Sequence, residues 1–354
     1  MTNLPDSAAA RKLEIRYPIV QGPFGGGLST ARLTAAVSNG GGLGSFGAHH
    51  LAPNDIRRVA NDIRKLTAQP FALNLWISDH DAGGLSLTAQ DFDRYREVFA
   101  PYFAELGLAL PEMPAAYTNR YEEQIEALLE ARPPVFSFVF GVPSARVLAA
   151  CRDRHIVTLG AATSVAEAQA LEAAGVDLIV ATGMEAGGHR PSFLDTAERS
   201  LMGTFALVQL VSRRIAVPLI AAGGIADRRG MQAARLLGAG AVQVGTAFLA
   251  CEESGTTDEH RAALFSNQAD STALTRAFSG RLARGLRNRW VDEMSERTSE
   301  LAPFPVQGWF VSKMRAASVI ARRTDLVSMW SGQGAPLLRH RNAAALMNEF
   351  TADR

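Results

Sequence analysis

Eight short runs of apolar residues recur along the chain with helix-like stretches between them. That alternation limits what the chain can fold into more than any other feature. The runs are 17–23 (YPIVQGP), 42–48 (GLGSFGA), 71–77 (FALNLWI) and 135–141 (VFSFVFG), then 156–162 (IVTLGAA), 179–184 (LIVATG and its neighbour), 218–224 (PLIAAGG) and 241–246 (AVQVGT). Most are continuously hydrophobic, which is the pattern of parallel strands covered on both faces. The stretches between them carry helix signals: Ser164 opens and Gly175 closes SVAEAQALEAAG, and Asp227 caps a helix that ends near Gly238. Strand then helix, eight times in about 250 residues, predicts an α/β (β/α)8 TIM barrel in preference to an open doubly wound sheet.

Two segments interrupt the rhythm. Residues 78–117 are too long for a barrel connection. They contain a capping-box start at Thr88 with Asp91, followed by Phe92, Tyr95, Phe99, Phe103 and Leu106 at helical spacing, with a kink expected at Pro101. This stripe reads as core packing. After the eighth strand the chain turns polar and helix-rich, so the expected division is a barrel over 1–250, an inserted helical lid subdomain over 251–325, and a segment 326–354 that returns to the barrel with its last helix near 335–350.

Lys and Arg total 36 against 35 Asp and Glu, a net charge of +1. Such a balance gives nucleic acid or an anionic membrane surface no general foothold. The only cysteines, Cys151 and Cys251, cannot make a disulfide framework or a thiolate metal cluster. Cys251 follows the eighth strand in an apolar run and reads as a buried thiol. The first residues lack the apolar stretch of a signal peptide and no run is long enough to span a bilayer, so a soluble, cytoplasmic protein is expected. A homodimer stays open.

In a barrel of this kind the chemistry sits past the C-terminal ends of the strands. Gly22-Pro23-Phe24, His49-His50, Asn74, the segment 183–189 (GMEAGGH), Gly223-Gly224 and Gly245-Thr246 all fall there. Glycines after both the seventh and eighth strands favour a phosphate held by backbone N–H groups, although tight turns use the same residues. Gly187 and Gly188 would let a flat ring approach closely. Among the histidines only His189 is framed by glycines, as a proton acceptor or a donor to a developing anion. Glu185 reads as structural. His49, His50 and His80 with Asp79 or Asp81 lack metal-ligand spacing, so no metal is expected. The four arginines of RLARGLRNRW (281–290) suit either subdomain packing or an acidic substrate or carrier.

Taken in order, PIVQGPFGGG, STARLTAAVSNGGGLGSFGA, PFALNL, GMEAGGHR, PLIAAGGIADRRG, AVQVGTAFL, TRAFSGRLARGLRN and LVSMWSGQG resemble the nitronate monooxygenase family, FMN-dependent barrels. The core motifs also resemble FMN-dependent enoyl-[acyl-carrier-protein] reductases, whereas LVSMWSGQG and PFPVQGW look more like the monooxygenases. The resemblance implies oxidation of alkyl nitronates, and of nitroalkanes if a base acts first, with O2 to a carbonyl compound and nitrite. An NAD(P)H-dependent enoyl reductase and a flavin-binding barrel without turnover are the alternatives. The family pattern makes His189 the catalytic base. It sets Gly22, Pro23, Phe24, Asn74, Thr182, Gly187 and Gly188 about the flavin, and Gly223, Gly224, Gln243, Val244, Gly245 and Thr246 about its phosphate. Phe24 replaces the usual Met, Thr182 the usual Gln, and His49-His50 a Gly and an aromatic residue. These departures bear on the substrate more than on the flavin.

Overall fold

The computed structural model describes residues 7–118 and 120–352. Eleven strands are present: β1 (Ile19–Gln21), β2 (Gly44–Gly47), β3 (Phe71–Trp76), β4 (Val135–Val139), β5 (Val157–Ala162), β6 (Leu178–Thr182), β7 (Gly188–His189), β8 (Leu219–Ala222), β9 (Ala241–Val244), β10 (Thr272–Thr275) and β11 (Ala283–Leu286). Eight of them form one parallel sheet in the order β1-β9-β8-β6-β5-β4-β3-β2. The open side is closed by a parallel bridge between Val20 and Leu43, where Gln21 N donates to Leu43 O and Leu43 N to Ile19 O. The result is the (β/α)8 barrel expected from the sequence. Each strand is shorter than its apolar run, because the glycine-rich ends have left the ladder to become rim loops.

Two layers of apolar side chains explain why the runs do not alternate. Outward-facing residues such as Ile19, Leu73, Phe136, Ile179, Ala221 and Val244 pack against the helices, whereas Val20, Ala72, Val135, Leu159, Val180 and Ile220 fill the barrel. Ala9 and Leu13 of the short helix Ala8–Lys12 join the interior cluster and plug its lower end. The helix caps follow the sequence: Ser164 Oγ accepts from Glu167 N, and Asp227 from Gly230 N. The last helix, Ala343–Thr351, packs on the helices Ala31–Asn39 and Arg228–Leu236.

A second core lies above the rim, built from stretches far apart in sequence. The helix Ala89–Glu105 starts with the Thr88–Asp91 capping box and runs on through Pro101. Its Phe92, Tyr95, Phe99, Tyr102 and Phe103 are buried against Phe278, Trp290, Met294, Val306, Phe310 and Leu326. Phe99 stacks on Phe310 with centroids 4.6 Å apart, and Tyr102 meets the Trp290 ring edge-on at the same distance. The polar region after the eighth barrel strand contains strands as well as helices, since β10 pairs antiparallel with β11 and β11 with β7. No described helix is long and apolar enough to cross a membrane.

Trp290 is fully buried and its indole N–H donates to Ala277 O at 3.1 Å. Trp290→Ala should therefore cost about 3–5 kcal/mol, read as a shift in urea unfolding. A cost under about 1 kcal/mol would show that the second core does not depend on this ring.

Candidate active site

The rim loops enclose a cavity of about 540 Å³ at the C-terminal ends of the strands, roofed by the second core. Gly22, Pro23, Phe24, Asn74, Thr182, Gly187, Gly188, His189, Gly223, Gly224, Gln243, Gly245 and Thr246 all line it. Val244 does not. Its side chain is fully buried in the layer between sheet and helices, because in a strand it points away from Gln243 on either side. Val244 still shapes the site through its carbonyl, which accepts from Gly22 N at 2.8 Å and joins the ends of β1 and β9.

The glycines serve the site in different ways. A methyl group on Gly187 would lie 2.6 Å from Gly332 N and from Ser331 C, so the strand-like tail 330–334 occupies the space a side chain would need. The same tail is fixed by Gly332 N donating to Thr246 Oγ1 at 2.9 Å and Gln333 N to Glu185 O at 2.9 Å. Gly245 behaves oppositely: a methyl there would meet nothing within 4 Å and would project into open space. That open cradle, at the start of the helix Thr246–Leu249 and beside Gly224 with its left-handed φ of +68°, fits a phosphate approached by backbone N–H groups. Thr182 Oγ1 and the Gln243 and Asn74 side chains give the walls polar groups, and Asn74 Nδ2 donates to Ser137 Oγ at 3.0 Å. The residues present therefore fit a flat cofactor with a phosphate tail.

Opposite the cradle stands an aromatic wall. Trp76 at the end of β3 is stacked against His49 (centroids 4.0 Å apart, planes 13° apart), and His189 meets it edge-on at 4.8 Å. Trp330 packs on the other side of His189 at 5.2 Å. His189 Nε2 shares a 2.7 Å hydrogen bond with Ser279 Oγ. The single Ser279 hydroxyl proton also reaches the Arg281 carbonyl at 3.2 Å, so its orientation selects the His189 tautomer. Burial foremost, then the charge of Arg281 and the neighbouring His50, lowers the His189 pKa to about 3. Desolvation likewise brings His50 and His260 to about 4 and carries His49 well below its ordinary value. All four imidazoles are neutral near pH 7.

Arg281 holds the wall in place. Its guanidinium lies 4.0 Å from the Phe304 centroid and 4.3 Å from that of Phe140, pairs with Asp81 at 2.7 Å and donates to Ser78 O at 3.0 Å. The other arginines of that run are also engaged within the chain: Arg284 with Met184 O and Thr272, Arg287 with Asp292, Arg289 with Glu105 and Glu293. All four arginines of the run thus have partners within the chain, Arg281 and Arg284 buried and Arg287 and Arg289 at the surface. Glu185 is structural, accepting from Thr204 N and Oγ1 at 2.9 Å each. Cys251 is buried, with its thiol pushed up to about 12.

Sequence reasoning passed over Ser279, Trp76, Trp330 and the buried Arg190, which donates to the carbonyls of Thr182, Gly183 and Ser200 and anchors the end of β6. Ser279 lies in the TRAFSGRLARGLRN motif, but nothing local ties it to a histidine ninety residues away.

Fold and site together define a (β/α)8 barrel with a cofactor-sized cavity at the C-terminal rim of its strands. The family model described as nitronate monooxygenase matches residues 6–353, and the chain belongs to that family. A probable nitronate monooxygenase of Staphylococcus haemolyticus is 36% identical over 342 residues, covering 96% of this chain and 94% of the relative. Among solved structures, the nitroalkane oxidase of Streptomyces ansochromogenes superposes with a TM-score of 0.89 at 34% identity, covering 97% of each chain. FabK from Thermotoga maritima is more distant, at 0.74 and 27%, covering 98% of this chain and 95% of that one.

Neutral buried imidazoles bind fewer protons than they would in the unfolded chain between the ordinary histidine pKa of 6.5 and the lowered values. Stability therefore rises with pH in that window and is lost as pH falls through it. Thermal midpoints should drop from pH 6.5 towards pH 4, and less steeply in His49→Phe. A wild-type midpoint flat across this range would contradict the assigned neutral state.

Proposed function

We propose that the cavity binds FMN and oxidises alkyl nitronates, and neutral nitroalkanes after proton abstraction, with O2 to a carbonyl compound and nitrite. The observation that carries the reading is His189: a neutral imidazole, oriented by Ser279 and walled by Trp76 and Trp330, facing a cavity with a phosphate cradle on its far side. Gly22, Pro23, Phe24, Asn74, Thr182, Gly187 and Gly188 would hold the ring, and Gly223, Gly224, Gln243, Val244, Gly245 and Thr246 the phosphate. FMN, when bound, supplies the electron-accepting chemistry and passes the electrons on to O2.

The protein supplies the proton handling and the walls. Because His189 is uncharged, its free ring nitrogen can take the α-proton of a neutral nitroalkane. The imidazolium so formed has the Ser279 hydroxyl against Nε2, and the anion left behind offsets the charge that burial disfavours. A nitronate arrives without that proton and needs His189 only as a hydrogen-bond donor. Trp76, Phe140 and Phe304 exclude water from this side of the cavity.

In the FMN-loaded enzyme, His189→Asn should lower kcat/KM for a neutral nitroalkane by about 10²–10⁴-fold and for its nitronate far less. Equal losses on the two forms would remove the base role. Oxygen uptake and nitrite release on adding a nitronate, without NAD(P)H, test the reaction itself. Silence towards several nitronates would move the assignment to the enoyl reductase.

A further inference from the structure

Apart from the histidines, three side chains with formal charge line the cavity: Asp79, Glu185 and Arg315. Two are answered inside the chain. Asp79 binds His80 Nδ1 at 2.6 Å and accepts from Tyr121 N at 3.2 Å, and Glu185 is held by Thr204. Arg315 makes no ion pair and no hydrogen bond with any described residue. It is half-buried on the helix Val306–Ile320, at the end of a stripe (Gly308, Val311, Ser312, Arg315) spaced i, i+3, i+4, i+7 along the cavity. Burial draws its pKa down with no carboxylate to raise it, unlike Arg281 with Asp81. Its charge acts on His50, another residue of the cavity lining, and on His260. A second donor on the same cavity wall is also unanswered: Tyr117 Oη is buried without a hydrogen-bond partner, its ring edge-on to Trp309 at 5.6 Å.

A half-buried guanidinium without a counter-charge costs stability, and a bound anion removes that cost. The guanidinium fork matches a planar group with two oxygens better than it matches a point charge. We infer that Arg315, with the Tyr117 hydroxyl, is a docking site for a planar two-oxygen monoanion in the cavity. This rests on the proposed reaction for the identity of the anion. The incoming nitronate and the departing nitrite both present two coplanar oxygens on nitrogen with one negative charge. The site gives the anionic substrate an advantage over its neutral nitroalkane form.

The test uses the FMN-loaded enzyme and its Arg315→Gln and Arg315→Lys variants. Calorimetric titration with sodium nitrite reads the site without turnover. In parallel, kcat/KM is measured for the nitronate and the neutral form of nitroethane at low and high ionic strength. Arg315→Gln should weaken nitrite binding about tenfold and lower nitronate kcat/KM about tenfold at low salt, flattening its salt dependence. Neutral nitroethane should lose several-fold less, and Arg315→Lys should restore part of both losses. Loss of nitrite affinity alone would make this a product-anion site, and loss of the nitronate salt dependence alone a substrate-anion site. Nitrite affinity and salt dependence both unchanged in Arg315→Gln would overturn the inference. So would equal losses on the nitronate and the neutral form with nitrite binding intact. If no nitronate is turned over at all, the proposed reaction fails, and the nitrite titration still decides whether Arg315 binds the anion.

Discussion

Everything at the site depends on the sheet closing. The parallel bridge between Val20 and Leu43 joins the first strand to the second, and only a closed barrel brings eight strand ends to one rim. The closure is sustained from both sides, by side chains filling the barrel and by the layer against the helices. Gly22 and Gly245 then stand back to back: a methyl on Gly22 would lie 3.2 Å from Gly245 Cα. The cradle and the first-strand loop are thereby walls of one cavity although more than two hundred residues separate them.

The second core adds what a bare barrel lacks, a dry roof. Arg281 shows how the two are joined: an ion pair to Asp81, carbonyl contacts to the 78–81 segment and three aromatic faces all meet at one guanidinium. Satisfying a buried charge this fully leaves it no capacity to bind substrate. Arg315 is its counterpart, a cation on the same roof whose capacity is not used up within the chain.

The barrel was legible because burial on two faces makes a strand continuously apolar, a pattern that survives without neighbours. His189 was legible because the glycine pair just before it announces a special loop. The small sheet was not: β7 has two residues, and β11 reads ARGL, with an arginine that neither an alternating nor a continuously apolar pattern contains. Nor was the packing of the Ser331–Gly332 backbone against Gly187, a contact between segments far apart in sequence. The pairing of Ser279 with His189 is a product of tertiary folding and has no local signature. The opposite facing of Gln243 and Val244 was not legible either, because a motif names neighbouring residues together while a strand sends their side chains to opposite faces.

The tail that packs against Gly187 carries a consequence for the order of events when the chain is made. Synthesis proceeds from the N-terminus and domains tend to fold as they emerge. All eight barrel strands are complete by Val244, yet the wall formed by residues 330–334 is added almost ninety residues later. A barrel still attached to the ribosome can close while its cavity lacks one side. The last wall of the cavity is thus laid down only when the chain is nearly finished, together with the helix Ala343–Thr351 that completes the barrel's outer layer.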